Sequence, residues 1–268
     1  MNYRHAFHAG NFGDCVKHAL LVWLVRALQR KPAPIRILDT HAGAGAYDLG
    51  SGPAERTGEW RAGIGSLLDD PPAALADYVG LVRELGLYPG SPVLIRALLR
   101  ADDHLGCCEL HPEEYRALCR RFARDPAVAV HLRDAWEALG ALLPPQPRRG
   151  LVLIDPPFEE KDEGERLARA LTAGLRRWPT GTFMAWYPIK DGLIGAALAR
   201  AAVAGGFPKT LRAEFSPYPR DGVSLAGGGL LIVNAPWRLD ERIAALCEEL
   251  SGLLGGGDGW TVDWRTQP

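Results

Sequence analysis

The chain has 268 residues, a formal net charge of -1 and 47% hydrophobic residues, enough to bury a substantial core without disulfide or metal staples. The near-neutral balance excludes a strongly basic, unselective nucleic-acid binder and leaves room only for local basic faces. Its five cysteines (Cys15, Cys107, Cys108, Cys119, Cys247) are odd in number and unevenly spaced, so no disulfide framework is expected. With no secretory leader pattern, the reduced cytoplasm is the expected compartment. The longest apolar runs, such as ALLVWLV at 19–25, fall well short of a bilayer span, so no membrane partner is expected.

In chain order, NFGDCVKHALLVWLVRALQR places apolar residues at helical spacing behind Asn11 and Asp14, both able to cap, and predicts a helix over roughly 14–30. IRILD follows as a short strand ending at Asp39, which runs into the small-residue loop THAGAGAYD. Residues 50–90 carry Gly and Pro punctuation and the helical stretch AALADYVGLVREL, and read as a mostly helical insertion within a single domain spanning 1–268. YPGSPVLIRALLR predicts a helix capped by Ser91 with Pro92 in its first turn. LGCCEL (105–110) is the next strand, PEEYRALCRRFARD its helix, AVAVHLRDA a third strand ending at Asp134, and LVLID a fourth. Further strands are expected at 181–188 and 228–237 with helices between them. Regular alternation of this kind predicts an α/β fold with a doubly wound, mostly parallel sheet. Arginines cluster at 116, 120, 121 and 124, at 148 and 149, and at 176 and 177; solvated helix faces explain most such clusters, and phosphate contact some.

The loop after the first strand contains Gly43 and Gly45 but neither the third glycine of a dinucleotide fingerprint nor the Lys-Ser/Thr of a P-loop. Phosphate recognition is therefore poorly supported. A GxG turn still lets the backbone approach a ligand closely, and an acid before it, Asp39, can hold an amine or hydroxyl. S-adenosylmethionine suits such a site: it has a cationic amino-acid tail, a ribose diol and an adenine, and no phosphate. Glu109, at the end of the second strand, is placed to take the ribose, and Asp134 to accept from the adenine amino group; each could instead be an ordinary helix cap.

In LVLIDPPFEE, an aliphatic strand buried on both faces ends in an acid, because proline cannot extend it. Asp155 thus sits at the carboxyl end of a strand, where ligands of open α/β sheets bind. An exocyclic adenine amine is a poor nucleophile, its lone pair delocalised into the ring. If its hydrogens donate to the Asp155 carboxylate and the Pro156 carbonyl, the lone pair is localised and aimed, and Phe158 can stack on the base. No metal or strong base is needed. A rival turn, Asn234-Ala-Pro-Trp237, also follows an aliphatic strand; chain order assigns it a structural role.

The segments NYRHAFHAGNFGDCVKH, DTHAGAG, AERTGEW, YPGSP, CELHP, DPPF and MAWYP together resemble the bacterial 23S ribosomal RNA large-subunit methyltransferase J family, over nearly the whole chain. That family methylates N6 of one adenine in 23S rRNA. The resemblance implies a monomeric cytoplasmic enzyme with a Rossmann-like class I core, a small helical insertion, S-adenosylmethionine as donor and S-adenosylhomocysteine as product. Its implied partner is 23S rRNA, protein-free or in an early assembly intermediate. It also implies that His18, His41, Ser91, Glu109, Asp134 and Asp155 line the cofactor, that Asp155 is catalytic, and that Tyr3 meets the base. His5 would help close the pocket, and Lys17 falls in the same block. Phe158 replaces the tyrosine common in this motif, which leaves the stacking ring intact. A DNA-directed adenine methyltransferase and a non-catalytic assembly factor are the alternatives. His5, His8, Cys15 and His18 invite a zinc reading, but their spacing is not that of a zinc knuckle, and no metal is expected.

Overall fold

In the computed structural model, which describes residues 5–50, 52–253 and 259–267, the backbone divides into two units, Met1–Ala135 and Trp136–Pro268. The first unit opens with α1 (Phe12–Gln29). The Asn11 side chain accepts from the Asp14 N–H at 3.1 Å, so the cap lies at the first of the two candidates. One face of α1 carries Leu20, Leu21, Leu24 and Val25, all completely buried, and this apolar stripe is what fixes the helix in the unit.

Next come β1 (Arg36–Asp39), the two-residue β2 (Ala46–Tyr47), and α2 (Gly52–Thr57), α3 (Glu59–Ala62), α4 (Ile64–Leu67) and α5 (Ala76–Leu85). These helices fill the segment expected to be helical. They are followed by β3 (Tyr88–Pro89), α6 (Ser91–Leu98), β4 (His104–Glu109), α7 (Pro112–Arg121) and β5 (Val128–Leu132). β1, β4 and β5 are parallel neighbours, with Asp39 opposite Cys107 and Glu109 opposite Leu132. β2 and β3 pair antiparallel, Tyr47 against Tyr88, and so bring the two ends of the helical segment together.

The second unit runs α8 (Ala135–Leu142), β6 (Gly150–Ile154), α9 (Glu163–Arg177), β7 (Thr182–Ile189), α10 (Leu193–Ala204), β8 (Leu211–Ser216), β9 (Gly227–Val233), α11 (Leu239–Leu253) and β10 (Gly259–Trp264). Its strands lie in the order β10-β8-β9-β7-β6. β6 and β7 are parallel, whereas β9 is antiparallel to both β7 and β8, and β10 to β8. The Rossmann-like alternation expected from the sequence therefore holds through β7 and gives way to an antiparallel edge. Every residue of β6 is buried, as its unbroken aliphatic run requires. Helix α9 packs tightly behind: a Cβ on Gly174 would lie 2.8 Å from the Phe183 ring.

Two strand ends differ from expectation. The third strand stops at Leu132, two residues before Asp134, and the late strand stops at Val233 rather than Trp237. β8 and β10 have no counterpart among the expected strands.

Candidate active site

Asp39 ends β1 fully buried. Its Oδ2 accepts the Ser91 hydroxyl at 2.6 Å, and its Oδ1 accepts the His41 backbone N–H at 3.3 Å. Ser91 consequently does not cap α6, contrary to the expectation from its place before Pro92. Gly90 is the N-cap, in extended conformation and without a side-chain cap, and the serine hydroxyl is held by a carboxylate instead. Asp39 thereby ties the loop after β1 to the start of α6. Thr40 Oγ1 and His41 Nδ1 are 2.9 Å apart within that loop.

The glycines have steric reasons to be glycine. Gly43 (φ +59) faces the Tyr47 hydroxyl, which a Cβ would approach to 2.4 Å, and Gly45 (φ +85) faces Leu118 at 2.9 Å. Glu109, buried at the end of β4, accepts the Gly43 N–H on Oε2 at 2.8 Å and the His111 N–H on Oε1 at 2.6 Å. Burial pushes its carboxyl up from the ordinary glutamate range, and the backbone donors of His111 and Gly43 oppose that shift. An ionised carboxylate offers about four lone-pair directions, so one that accepts two N–H groups keeps acceptor capacity for a vicinal diol. The residues present therefore fit a ribose-bearing cofactor. Asp134, half-buried, lies between the end of β5 and the start of α8.

The N-terminal block is organised by Asp14, a residue whose sequence context suggests no more than a cap. Asp14, 2% exposed, takes Lys17 Nζ on Oδ1 at 2.9 Å, and His5 Nε2 and the Gly10 N–H on Oδ2, both at 2.9 Å. The Tyr88 hydroxyl donates to the same Oδ2 at 3.3 Å and lies 3.3 Å from His18 Nδ1. Burial alone would raise the Asp14 carboxyl; the charges of His5, Lys17 and His18 and the His5 hydrogen bond overcome it and hold the group well below the usual range. Lys17 is itself buried, so its ammonium serves Asp14 in this structure rather than projecting outward. His5 also meets the Tyr47 ring edge-on at 5.1 Å, which links the arm to the tyrosine beneath Gly43. The AERTGEW segment contributes Glu59, which pairs with His8 Nδ1 at 2.9 Å and accepts from Asn11 at 3.0 Å. Tyr3 lies outside the described residues. Among the described residues no group of three or more His, Cys, Asp and Glu side chains is disposed to hold a metal ion.

In the second unit, Asp155 follows the last residue of β6 and is half-buried, Pro156 is buried, and Phe158 stands in a left-handed conformation (φ +53) that is uncommon for an aromatic residue. The Phe158 ring meets Trp186 of β7 edge-to-face, centroids 5.9 Å apart at 71°. The rival turn lies at the opposite end of the strands, because β9 runs against β7, which runs with β6. Asn234 there donates from Nδ2 to the carbonyls of Pro179 and Gly181, both at 2.8 Å, and so fixes the chain entering β7. Of the clustered arginines, Arg177 donates to the Leu143 carbonyl at 3.0 Å and Arg116 to that of Pro112 at 2.9 Å, which are structural uses.

A family model described as "Ribosomal RNA large subunit methyltransferase D, RlmJ" matches residues 32–266. The Ribosomal RNA large subunit methyltransferase J of Escherichia coli (strain K12) is 38% identical, with 98% of both chains covered. That of Haemophilus influenzae (strain ATCC 51907 / DSM 11121 / KW20 / Rd) is 37% identical over 99% of both. The crystal structure of a Legionella pneumophila protein matches with a TM-score of 0.87 and 30% identity, covering 97% of this chain and 98% of that one. Matched from the N-terminal block through the DPPF turn to the late strands, the chain belongs to the ribosomal RNA large subunit methyltransferase J family.

Proposed function

We propose that this chain transfers a methyl group from S-adenosylmethionine to the exocyclic N6 amine of one adenine in 23S ribosomal RNA, releasing S-adenosylhomocysteine. What carries the proposal is the near-full-length relationship to large-subunit rRNA methyltransferases together with an Asp-Pro-Pro-Phe turn at the carboxyl end of β6. Family membership makes ribosomal RNA methylation the activity class and points to adenine N6 as the acceptor; the turn supports an exocyclic amine.

When bound, S-adenosylmethionine supplies an electrophilic methyl on a sulfonium. Asp39, His41, Gly43, Gly45, Ser91, Glu109, Asp134 and His18 are the residues proposed to hold it. Asp155 completes that set and acts on the acceptor. Its carboxylate and the Pro156 carbonyl accept the two amine hydrogens, localising the nitrogen lone pair. The proton that the amine gives up on methylation would leave along its hydrogen bond to Asp155, a half-buried side chain, to water. Phe158 stacks on the extruded base and offsets part of the cost of unstacking it. Tyr3 is proposed to meet the base; His5 closes over it, and Lys17 supports His5 through Asp14. The enzyme acts as a cytoplasmic monomer on protein-free 23S rRNA or an early assembly intermediate.

The test is methyl transfer to protein-free 23S rRNA, mature large subunits and duplex DNA, with mass spectrometry locating the product. The expected product is one N6-methyladenosine in 23S rRNA, abolished in Asp155→Ala while RNA binding persists. Modification of DNA alone, or of another base position, would overturn the assignment.

A further inference from the structure

β7 is buried on both faces at every position but one. Of Thr182–Ile189 only Trp186 is partly open to solvent, although β7 is an inner strand, flanked by β6 and β9. A large aromatic side chain left half-covered on an inner strand calls for a reason, and its surroundings supply one. Below, the indole lies over Gly228: a Cβ built on that glycine would sit 2.9 Å from Trp186 Nε1, so the missing side chain is what seats the ring. Gly228 is the diagonal neighbour across the β7–β9 pair, Trp186 itself lying opposite Leu230. To the side, the indole meets the Phe158 ring at 5.9 Å and 71°. Phe158 follows two prolines and adopts φ +53, so its backbone is held in an uncommon conformation while its ring still needs a partner to fix its plane.

We propose that Trp186 is a positioning residue for the acceptor base, seated on Gly228 and holding the Phe158 ring in the plane that receives the adenine. The inference rests on the assignment of Asp155-Pro156-Pro157-Phe158 as the base-receiving turn. It adds a residue outside that turn, on the neighbouring strand. Perpendicular packing suits this role because it fixes one ring by its edge and leaves a face of the pair for a third planar group.

The experiment measures kcat and KM for a 23S rRNA transcript, and the dissociation constant for S-adenosylhomocysteine, in wild type, Trp186→Leu, Trp186→Phe and Gly228→Ala. Trp186→Leu is expected to lower kcat/KM for RNA by between about twofold and about tenfold, the range of an aromatic pair, with cofactor affinity unchanged. Trp186→Phe keeps an edge-to-face partner and should restore most of the loss. Gly228→Ala pushes the indole off its seat with the tryptophan still present and should reproduce the leucine phenotype, so the test survives if Trp186→Leu fails to fold. Wild-type kcat/KM in Gly228→Ala and in any folded Trp186→Leu, or a parallel loss of cofactor affinity, would overturn the proposal. A wild-type enzyme that methylates no adenine overturns the functional assignment instead, whatever the variants do.

Discussion

The hydroxyl of Ser91 donates to Oδ2 of Asp39 across 2.6 Å, joining the first helical residue of α6 to the last residue of β1 with both side chains buried. Ser91→Ala removes a donor from a buried carboxylate and should cost about 1–3 kcal/mol of stability. If the pair also shapes the cofactor cradle, affinity for S-adenosylhomocysteine falls with it. Calorimetric titration beside thermal unfolding checks this; unchanged affinity with reduced stability would assign the bond to the scaffold alone.

Asp14 gives a pH signature. Its folded carboxyl lies well below the ordinary aspartate range, so it contributes stability that is complete above the unfolded value and is lost as pH falls toward the folded one. Asp14→Asn removes that titration and the carboxylate that buried Lys17 meets at 2.9 Å, a loss of about 3–5 kcal/mol at neutral pH. Urea unfolding at a series of pH values should show a large wild-type advantage near neutrality that shrinks through the acid range. A constant difference would contradict the linkage.

Phe158 separates ring from hydroxyl. Phe158→Tyr retains the stacking face and should keep near-wild-type kcat/KM for RNA. Phe158→Ala should lose about 1–3 kcal/mol of transition-state stabilisation, the worth of one stacked base. Steady-state kinetics with the 23S transcript read both; equal loss in the two variants would point to crowding at this position rather than stacking.

Asn234 should matter for folding and not for chemistry. Asn234→Ala breaks two hydrogen bonds to the chain before β7 at a residue with φ +54, and should lower stability by about 1–3 kcal/mol. Methyl transfer per folded molecule should stay unchanged. Loss of activity in a folded variant would reopen the claim of this turn to the chemistry.

Where a segment's structure is dictated by its own residues, the sequence is sufficient to read it. The helical stripe of α1, the aliphatic run of β6, the acids that end β1 and β4 and the one that follows β6 depend on neighbours along the chain. β8 is not legible, for the opposite reason. Its LRAEFS carries Arg212 and Glu214, whose shortest side-chain contacts come from other strands: Asp263 of β10 pairs with Arg212 at 2.8 Å and Tyr187 of β7 donates to Glu214 at 2.9 Å. Those partners are remote in the chain. The same holds for Asp14, which reads as a cap in sequence although Tyr88, 74 positions away, is among the groups that make it a hub. Ser91 is conspicuous for its spacing, yet its role is hidden, because the carboxylate that claims its hydroxyl lies 52 positions upstream.

Because β9 descends where β6 climbs, two turns of nearly the same spelling, DPPF and NAPW, come to rest on opposite rims. One rim is where α/β sheets do chemistry and the other is where they are fastened. A search for such tetrapeptides that ignores which way the preceding strand points will count anchors as catalysts, and in this chain the polarity of a single strand separates the two.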